Sequence, residues 1–200
     1  PTPPSSATKT VASEASLTKL SVSVANPAAP LEMGMDESYT LTIPASGGAA
    51  TLTAKTTWGA LRGLERFSQL VHWTGVDSAF DVFVASIVDA PRFSHRGLLI
   101  DSSRHFLRLD AIFMTIDTLV YNFYSVLHWH IVDDQSFPYN STTFPELASQ
   151  GAFNAPYSTH VYSQEDVQAV LEYATDRGIR VLAEFDTPGH TQSWGISHPE

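Results

Sequence analysis

Three dense polar clusters in the second half of the sequence have the residue types of a functional site. Their letters are DSSRH at 101–105, HWHIVDD at 128–134 and EFDTPGH at 184–190. Carboxylates, histidines and an arginine are the side chains that transfer protons and bind sugar hydroxyls or carboxylates. A single cluster of this kind is common in loops, but three that meet at one edge of a fold predict a functional site.

Four side chains in these clusters suit this chemistry best. The planar fork of Arg104 matches two neighbouring hydroxyls of a sugar, or a carboxylate. Asp133 and Asp134 are adjacent, so we expect their side chains to point apart, one facing the site and the other capping the loop. His190 follows a tight Pro–Gly turn, and an imidazole beside a carboxylate is oriented to relay protons. These residue types together predict an enzymatic site.

The histidines of the second cluster leave another interpretation open. His128 and His130 are two residues apart and therefore share one face of a strand, an arrangement that also suits a divalent metal. A metal-dependent barrel hydrolase would use both histidines with a later carboxylate. In the metal-free interpretation His130 packs beneath the site, and Trp129 points outward toward the helices. Both interpretations place the site at the end of this strand.

The second half of the chain alternates strands and helices, which places the three clusters at one edge. Apolar runs predict three strands and periodic patterns predict two helices. They are strands 97–100, 123–131 and 179–184 and helices 109–122 and 167–177. A capping box at 163–166 begins the second helix, and Gly178 ends it. Residues 91–200 therefore fit the first three βα units of a TIM (β/α)₈ barrel, whose site lies at the carboxyl ends of its strands.

The first part of the chain predicts a separate, small α+β domain. Residues 1–15 are small, polar and proline-containing, and we interpret them as a flexible leader. Period-two patterns within residues 16–90 predict short strands with a turn at Gly47–Gly48. The predicted strands are 20–24, 38–43, 50–54 and 80–84. Thr57 is expected to cap a helix over 58–73.

Composition narrows the classes of function. The 21 acidic against 11 basic residues give a formal charge of −10, which argues against a nucleic-acid binder that needs a cationic face. No run reaches the roughly 18 apolar residues of a membrane span. The absence of cysteine excludes disulfides, thiolate metal sites and thiol nucleophiles. We therefore expect an acid–base enzyme without a membrane span.

Two further features are interpreted as belonging to the surface. The single adjacent Asp–Glu pair of the sequence, Asp36–Glu37, precedes a strand of the first domain and is interpreted as surface charge. Asn140-Ser-Thr142 is an N-glycosylation acceptor in a predicted loop. This acceptor favours a protein of the secretory pathway, either secreted or lysosomal or vacuolar.

Three stretches that contain the clusters resemble the β-N-acetylhexosaminidases of glycoside hydrolase family 20. They are PRFSHRGLLIDSSRHFL, YNFYSVLHWHIVDDQSFPY and GIRVLAEFDTPGHTQSWG. The resemblance is close over residues 90–200 and looser over 16–90, where such enzymes carry a noncatalytic α+β domain. It implies a barrel enzyme that removes terminal β-linked N-acetylglucosamine or N-acetylgalactosamine from chitin fragments or glycoconjugates, without a cofactor.

The resemblance also implies roles for individual residues. Arg104 matches the arginine that grips the O3 and O4 hydroxyls of the terminal sugar. Asp133 and His190 match a carboxylate–histidine relay that supports the catalytic glutamic acid, and Asp186 matches a further acidic residue of the site. In these enzymes the 2-acetamido oxygen of the substrate attacks the anomeric carbon, and the glutamic acid protonates the leaving oxygen. An aspartate next to that glutamic acid orients the acetamido group.

The catalytic Asp–Glu pair of the family follows the fourth barrel strand, which we expect to lie past Glu200. A closed barrel takes about 250 residues, so the barrel is expected to be incomplete in this chain. We therefore expect a fragment that is inactive by itself, cut from an active hydrolase for which a homodimer is one expected assembly. A paralogue that binds carbohydrate but has lost the acid is the nonenzymatic alternative.

Overall fold

The computed structural model describes residues 16–75, 80–153, 155 and 159–199. The leader predicted at 1–15 lies outside these residues. The described residues form two compact units: those up to Ala28 with those of Asp36–Ala90, and Ala29–Met35 with those from Pro91 onward. Among the described residues, no helix is long and apolar enough to cross a membrane.

The first unit contains a mixed four-stranded sheet that contacts one helix. Its elements are β1 (Leu17–Asn26), β2 (Tyr39–Ile43), β3 (Gly48–Thr56), α1 (Thr57–Leu70), β4 (Val71–Trp73), β5 (Phe80–Val82) and β6 (Ala85–Asp89). The sheet order is β1-β3-β2-β6, with β1 parallel to β3 and β2 antiparallel to both of its neighbours. Alternate residues of β2 are buried, as expected for a strand with one face on the core. The buried apolar cluster is Tyr39, Leu41, Ile43, Ala50 and Leu52.

The predicted ends of the helix in this unit are wrong by one turn or less at each side. Thr56 rather than Thr57 is the N-cap, because the Thr56 hydroxyl accepts a hydrogen bond from the Gly59 backbone N–H at 3.2 Å. The helix ends at Leu70, where the next residue adopts extended φ and ψ of −85° and 130°. The three residues after it form β4, which pairs with β5. A β-branched residue followed by two aromatic rings favours this strand over a further helical turn.

The predicted strands of this unit are present with different ends. β1 and β3 are longer than 20–24 and 50–54 because they pair over nearly their whole lengths. Gly47 and Gly48 have φ of 72° and 86° in the predicted turn between β2 and β3, a backbone region that favours glycine. The predicted strand 80–84 shortens to β5. β6 is missing from the sequence prediction, although its alternating letters ASIVD were the available signal.

A buried ion pair overturns the interpretation of Glu37 as surface charge. Glu37 Oε1 accepts a hydrogen bond from Arg62 Nε at 2.8 Å, and each of the two side chains is 2% exposed. Arg62 lies on the buried face of α1, where a guanidinium needs a partner charge. Asp36 keeps a half-exposed position and pairs with Lys55 Nζ at 2.9 Å. The Glu37 carboxylate is thus paired in the interior, whereas the neighbouring Asp36 carboxylate is paired near the surface.

The second unit is an α/β arrangement with a parallel sheet of order β7-β8-β9. Its elements are β7 (Gly97–Asp101), α2 (Leu109–Tyr121), β8 (Val126–Val132), α3 (Pro145–Gly151), α4 (Gln164–Thr175), β9 (Arg180–Phe185) and a 3₁₀ helix (Trp194–Ile196). Every residue of the central strand β8 except His128 is buried, as expected for a parallel strand covered on both faces. Apolar residues of α2, β8 and α4 form one cluster, which includes Ile112, Ile116, Leu127, Trp129, Ile131 and Val170.

The predicted strands and helices of this unit are present, and most of their ends lie within two residues of the predicted ones, although α4 begins at Gln164 rather than at 167. Ser163 and Asp166 exchange the two hydrogen bonds of a capping box at the start of α4. Gly178, with φ of 68°, follows the end of that helix as predicted. β8 begins at Val126 and not at Phe123, because Phe123 has φ of 58° and turns the chain out of α2. α3 lies where the sequence patterns predict a loop.

Candidate active site

The carboxyl ends of the three parallel strands bring the predicted clusters to one edge of the sheet. Asp101, the last residue of β7, is in register with His130 of β8, and His130 is in register with Glu184 of β9. Paired residues on neighbouring strands share a face of the sheet, so these three side chains lie in one row. The loop that follows each strand supplies the rest of the site.

Arg104 is held at this edge by three acceptors. Its Nη1 lies 2.7 Å from Asp101 Oδ2, its Nη2 lies 2.7 Å from Asp133 Oδ2, and its Nε donates to Gln135 Oε1 at 3.0 Å. Asp101 also shapes the loop, since its Oδ1 accepts from the backbone N–H groups of Ser103 and Arg104. The hydrogen bond to Asp101 raises the pKa of Arg104. The guanidinium is therefore a fixed cation, and 38% of its side chain faces solvent.

Asp133 is the buried centre of the site, with no exposed side-chain surface. Its Oδ2 lies 2.6 Å from His130 Nε2 and 2.7 Å from Arg104 Nη2. Its Oδ1 lies 2.6 Å from the Asp134 backbone nitrogen and 3.2 Å from His190 Nδ1. Burial alone raises the pKa of Asp133, but these hydrogen bonds and the guanidinium charge outweigh burial and lower it. Asp133 is therefore an anion on which four donors converge.

His190 meets Asp133 from the loop after β9. Its φ of 60° lies in the left-handed region, which is uncommon for residues other than glycine. An ionised carboxylate only accepts hydrogen bonds, so the 3.2 Å contact with Asp133 needs a hydrogen on Nδ1 and leaves Nε2 as the basic nitrogen. Arg104 Nη2 lies 3.3 Å from the same Nδ1 but is closer to Asp133. Half of the His190 side chain, 49%, is exposed, so a basic nitrogen stands at an open rim.

His130 lies between the carboxylates of Asp133 and Glu184. Its Nε2 faces Asp133, and its Nδ1 lies 3.1 Å from Glu184 Oε2, which also lies 2.5 Å from His128 Nε2. Burial lowers the pKa of His130, but the contacts with the two carboxylates outweigh burial and raise it. Burial raises the pKa of Glu184, but its hydrogen bonds with the two histidines outweigh burial and lower it. His130 is buried, as predicted, and takes part in the site from below.

Arg104, Asp133 and His190, which the resemblance singles out, lie together with His130, whereas Asp186 lies beside them and Asn140 lies elsewhere. We use the name Asp133 network for Asp101, Arg104, His130, Asp133, Glu184 and His190. Asp186 stands next to it, with Oδ2 3.8 Å from His190 Nε2, which is too long for a hydrogen bond. Asn140 lies on an exposed loop outside the network.

Sequence patterns assign no role to Asp101 and Glu184, and their positions at the ends of strands were the available signal. Asp134 points away from its neighbour and accepts a hydrogen bond from the Gln192 backbone N–H at 2.9 Å, so it caps the loop as predicted. Trp129 Nε1 donates to Ser102 Oγ at 2.8 Å, and its ring joins the apolar cluster with residues of α2 and α4. Both orientations agree with the sequence prediction.

Two overlapping groups of side chains have the spacing of metal ligands. They are His130, Asp133 and Asp186, and Asp133, Asp134 and His190, with ligand atoms within 4.8 Å of one another. Both groups depend on Asp133, whose Oδ2 already lies 2.7 Å from the Arg104 guanidinium. A fixed cation at this distance repels a divalent ion. Within the part of the chain that the structure describes, His128 belongs to neither group, so the geometry favours acid–base chemistry over the proposed His128–His130 metal centre.

Comparison with known protein families agrees with this geometry. A model of the glycosyl hydrolase family 20 catalytic domain matches residues 93–200, and a model described as beta-acetyl hexosaminidase like matches residues 1–70. The chain is 56% identical over 163 residues to beta-hexosaminidase subunit alpha of Rattus norvegicus, which covers 82% of this chain and 30% of the relative. It is 56% identical over 160 residues to beta-hexosaminidase subunit beta of Homo sapiens, which covers 80% of this chain and 28% of the relative.

Solved structures show the same likeness. The chitobiase of Flavobacterium johnsoniae superimposes with a TM-score of 0.80 at 34% identity, over 90% of this chain and 26% of that chain. The N-acetyl-beta-hexosaminidase of Streptomyces plicatus superimposes with a TM-score of 0.71 at 28% identity, over 87% of this chain and 36% of that chain. The chain thus spans about 30% of the length of the curated relatives it matches. The catalytic-domain model matches more than half of the residues of this chain, and the matched residues include the Asp133 network. The chain therefore belongs to glycosyl hydrolase family 20.

Proposed function

We propose that the protein to which this chain belongs is a β-N-acetylhexosaminidase. It hydrolyses terminal, non-reducing β-linked N-acetylglucosamine or N-acetylgalactosamine of oligosaccharides, including chitin fragments, and of glycoconjugates, by a substrate-assisted retaining mechanism. The observation that carries the proposal is the Asp133 network, in which one buried anion holds an exposed guanidinium and a histidine with a basic nitrogen at the rim. Relatives named beta-hexosaminidase at 56% identity support the same reaction.

In this proposal Arg104 binds the terminal sugar. A guanidinium has five N–H donors, and the contacts with Asp101, Asp133 and Gln135 occupy one on each nitrogen. One hydrogen on Nη1 and one on Nη2 therefore remain for two neighbouring hydroxyls, which suits the O3 and O4 atoms of a pyranose. The partly exposed position of the side chain gives a sugar access to both.

The proton relay of the proposed mechanism consists of Asp133 and His190. Asp133 holds the hydrogen on His190 Nδ1 and so directs Nε2 toward the rim, where it supports the glutamic acid that protonates the leaving oxygen. Asp186 is the further acidic residue of the site, 3.8 Å from Nε2. The 2-acetamido oxygen of the substrate acts as the nucleophile, so the protein needs no nucleophilic side chain of its own.

We propose that the glutamic acid and its neighbouring aspartate follow a fourth barrel strand. The Asp36–Glu37 pair does not fit this role, because the Glu37 side chain is buried and bound to Arg62. The 200-residue chain by itself is therefore expected to be inactive, whereas a longer protein that includes it hydrolyses the substrate. Residues 91–200 are proposed as the first three βα units of a TIM barrel and 16–90 as a noncatalytic α+β domain. The parallel order of β7, β8 and β9 supports the barrel.

Hydrolysis of aryl glycosides tests this function in the full-length protein. We expect release of nitrophenol from the β-N-acetylglucosaminide but not from the matching β-glucoside, because the glucoside lacks the acetamido nucleophile. The first product should be the β-anomer by NMR. Equal turnover of the two glycosides would contradict substrate assistance. Binding of N-acetylglucosamine without turnover would support the carbohydrate-binding alternative, and loss of activity with a chelator would support a metal-dependent hydrolase.

We also propose that Asn140 carries an N-glycan and that the protein is secreted, lysosomal or vacuolar. The backbone of Asn140 is fixed on both sides, since its N–H donates to the Tyr162 carbonyl at 3.0 Å and its carbonyl accepts from Gln164 Nε2 at 2.6 Å. The residue itself is exposed, which leaves its amide accessible to a transferase. Protein from a glycosylating host should lose mass on treatment with an N-glycosidase, and Asn140→Gln should abolish this loss. An unchanged mass for the wild type would contradict the proposal.

The full-length protein is further proposed to form a homodimer. The relatives at 56% identity are named as subunits, which supports an assembled state. Light scattering after size-exclusion chromatography should give twice the mass of one chain. A monomer mass at micromolar concentration would contradict this assembly.

A further inference from the structure

The proposed function gives no role to His130, yet this side chain contacts Asp133 from inside the sheet. His130 is 6% exposed, and each of its ring nitrogens faces a carboxylate, with Nε2 2.6 Å from Asp133 Oδ2 and Nδ1 3.1 Å from Glu184 Oε2. Carboxylates accept hydrogen bonds and do not donate them when ionised. Both ring nitrogens therefore donate, and the imidazole is held at two opposite points.

The charges around His130 favour its cationic form. Asp133 and Glu184 touch it, and Asp101, in register on the neighbouring strand, adds a third negative charge. Arg104 Nη2 shares Asp133 Oδ2 with His130, and His128 Nε2 shares Glu184 Oε2 with it, so each of these neighbours is separated from the His130 ring by a carboxylate oxygen. An imidazolium between two anions holds both of them more firmly than a neutral ring does.

His130 also holds one particular oxygen of Asp133, Oδ2. Asp133 Oδ2 is shared between His130 Nε2 and Arg104 Nη2, while Oδ1 faces His190 Nδ1. A carboxylate is free to rotate about its last bond unless a donor fixes one oxygen. The His130 hydrogen bond is the shortest that a side chain makes to this carboxylate and comes from the most buried of its side-chain partners. Together with the Asp134 backbone N–H, which lies 2.6 Å from Oδ1, it holds the plane in which Asp133 meets the other two side chains.

We propose that His130, braced by Glu184, is a positioning residue that orients the Asp133 carboxylate and thereby places both Arg104 and His190. The proposal rests on the proposed function, because its effect on turnover requires that reaction. Misplacing Asp133 should disturb sugar binding through Arg104 and proton relay through His190 at the same time. A change in both KM and kcat is the expected signature.

Two substitutions separate the two contacts of the ring. An Asn amide extends about as far as the His Nδ1 atom, and a Gln amide about as far as Nε2. His130→Asn therefore keeps the contact with Glu184 and loses that with Asp133, whereas His130→Gln keeps the contact with Asp133. In the full-length protein we expect His130→Asn to lower kcat/KM by about 100-fold, with kcat reduced and KM raised. His130→Gln should restore most of this loss, and His128→Asn, which removes the other contact of Glu184, should stay near the wild type.

A measurement without turnover separates this inference from the proposed function. The ring nitrogens of His190 can be followed by ¹⁵N NMR in this chain, where His130→Asn should shift the Nδ1 signal and His130→Gln should leave it near the wild-type position. If the wild type hydrolyses no N-acetylhexosaminide, the proposed function is wrong, but the shift would still support positioning. If His130→Asn does not fold, His130→Leu, which fills similar space without a hydrogen-bond donor, should shift the same signal. Equal effects of His130→Asn and His130→Gln in folded protein, or an unmoved His190 signal, would overturn the proposal.

Discussion

Two buried carboxylates of this protein, Glu37 and Asp133, each meet an arginine, but their surroundings differ. In the first unit Glu37 and Arg62 are each 2% exposed, so the pair is closed to solvent. In the second unit Asp133 has no exposed surface, while Arg104 is 38% and His190 49% exposed. A closed pair can hold a helix against a sheet. A buried anion such as Asp133 can instead fix the orientation of exposed partners, here Arg104 and His190, which a ligand can reach.

The difference follows from where each pair lies in the fold. Arg62 projects from the buried face of α1, where both charges have lost their water and depend on each other. Asp133 lies just after β8, at the edge of a parallel sheet where loops leave the strands. Removing the Glu37 carboxylate should therefore lower the stability of the protein, whereas removing the Asp133 carboxylate should lower its activity.

Asp133→Asn should produce the largest effect. The amide has the shape of the carboxylate but lacks its charge, so the hydrogen on His190 Nδ1 and the orientation of Arg104 are both lost. We expect kcat of the full-length protein to fall by roughly 10³- to 10⁴-fold, the scale seen when a relay carboxylate is neutralised. Steady-state kinetics measures kcat, and circular dichroism gives the folded fraction to which kcat is normalised. Activity within an order of magnitude of the wild type would show that the open network is structural, like the closed pair.

Glu37→Gln should instead lower stability. Arg62 would keep its charge in a buried position but lose its ion pair with Glu37, which costs about 3–5 kcal/mol in the free energy of unfolding. Urea unfolding of this chain measures the change. The double change Glu37→Met with Arg62→Leu should recover most of it, because no charge is then left buried. Loss of hydrolysis per folded molecule in Glu37→Gln would contradict a purely structural role.

Arg104→Lys should weaken substrate binding. Lysine keeps the charge but lacks the planar fork, so it cannot contact two sugar hydroxyls while bonded to Asp101 and Asp133. We expect KM to rise by roughly 10- to 100-fold, the value of one or two charged hydrogen bonds, with a smaller change in kcat. The matched control is Arg62→Lys, which should reduce stability and leave KM alone. A KM unchanged in Arg104→Lys would remove the sugar-binding role.

The smallest effect concerns Asp36, the half-exposed neighbour of Glu37. The hydrogen bond from Ser38, followed by that from Lys55, lowers the pKa of Asp36 from 3.8 to about 2. Since the folded pKa lies below the unfolded one, Asp36 stabilises the protein above pH 3.8 and this contribution disappears as the pH falls through about 2. With a side chain 35% exposed, the contribution is about 1 kcal/mol or less.

Comparison of the wild type with Asp36→Asn across that pH range measures this contribution. Urea unfolding at pH 5 should show the wild type as the more stable protein, and the difference should vanish near pH 2. A difference that stays constant down to pH 2 would show that the lowered pKa is not what stabilises the folded state. Asp36→Asn removes only the half-exposed Asp36 carboxylate and should leave the Glu37–Arg62 pair intact.

Local patterns in the sequence predicted most elements of both units and the location of the site. The alternation of strands and helices after Pro91, the capping box at Ser163 and the turn at Gly178 depend on residues close together in the chain. The clusters that contain Arg104 and His190 were likewise visible as polar runs at the ends of apolar ones. Periodicity and capping are local properties, so they can be recognised without knowledge of the fold.

Other contacts join residues that are far apart in the chain, and their formation depended on strand register and helix packing. Glu37 looked like surface charge until α1 placed Arg62 against it, 25 residues later. His130 meets Glu184 because β8 and β9 pair in one register, and a shift of one residue would turn the two side chains to opposite faces. Residue types and spacing thus determined what chemistry this protein can carry. Packing determined which buried carboxylate has a buried partner and which has partners at an open rim, because burial is a property of the assembled fold.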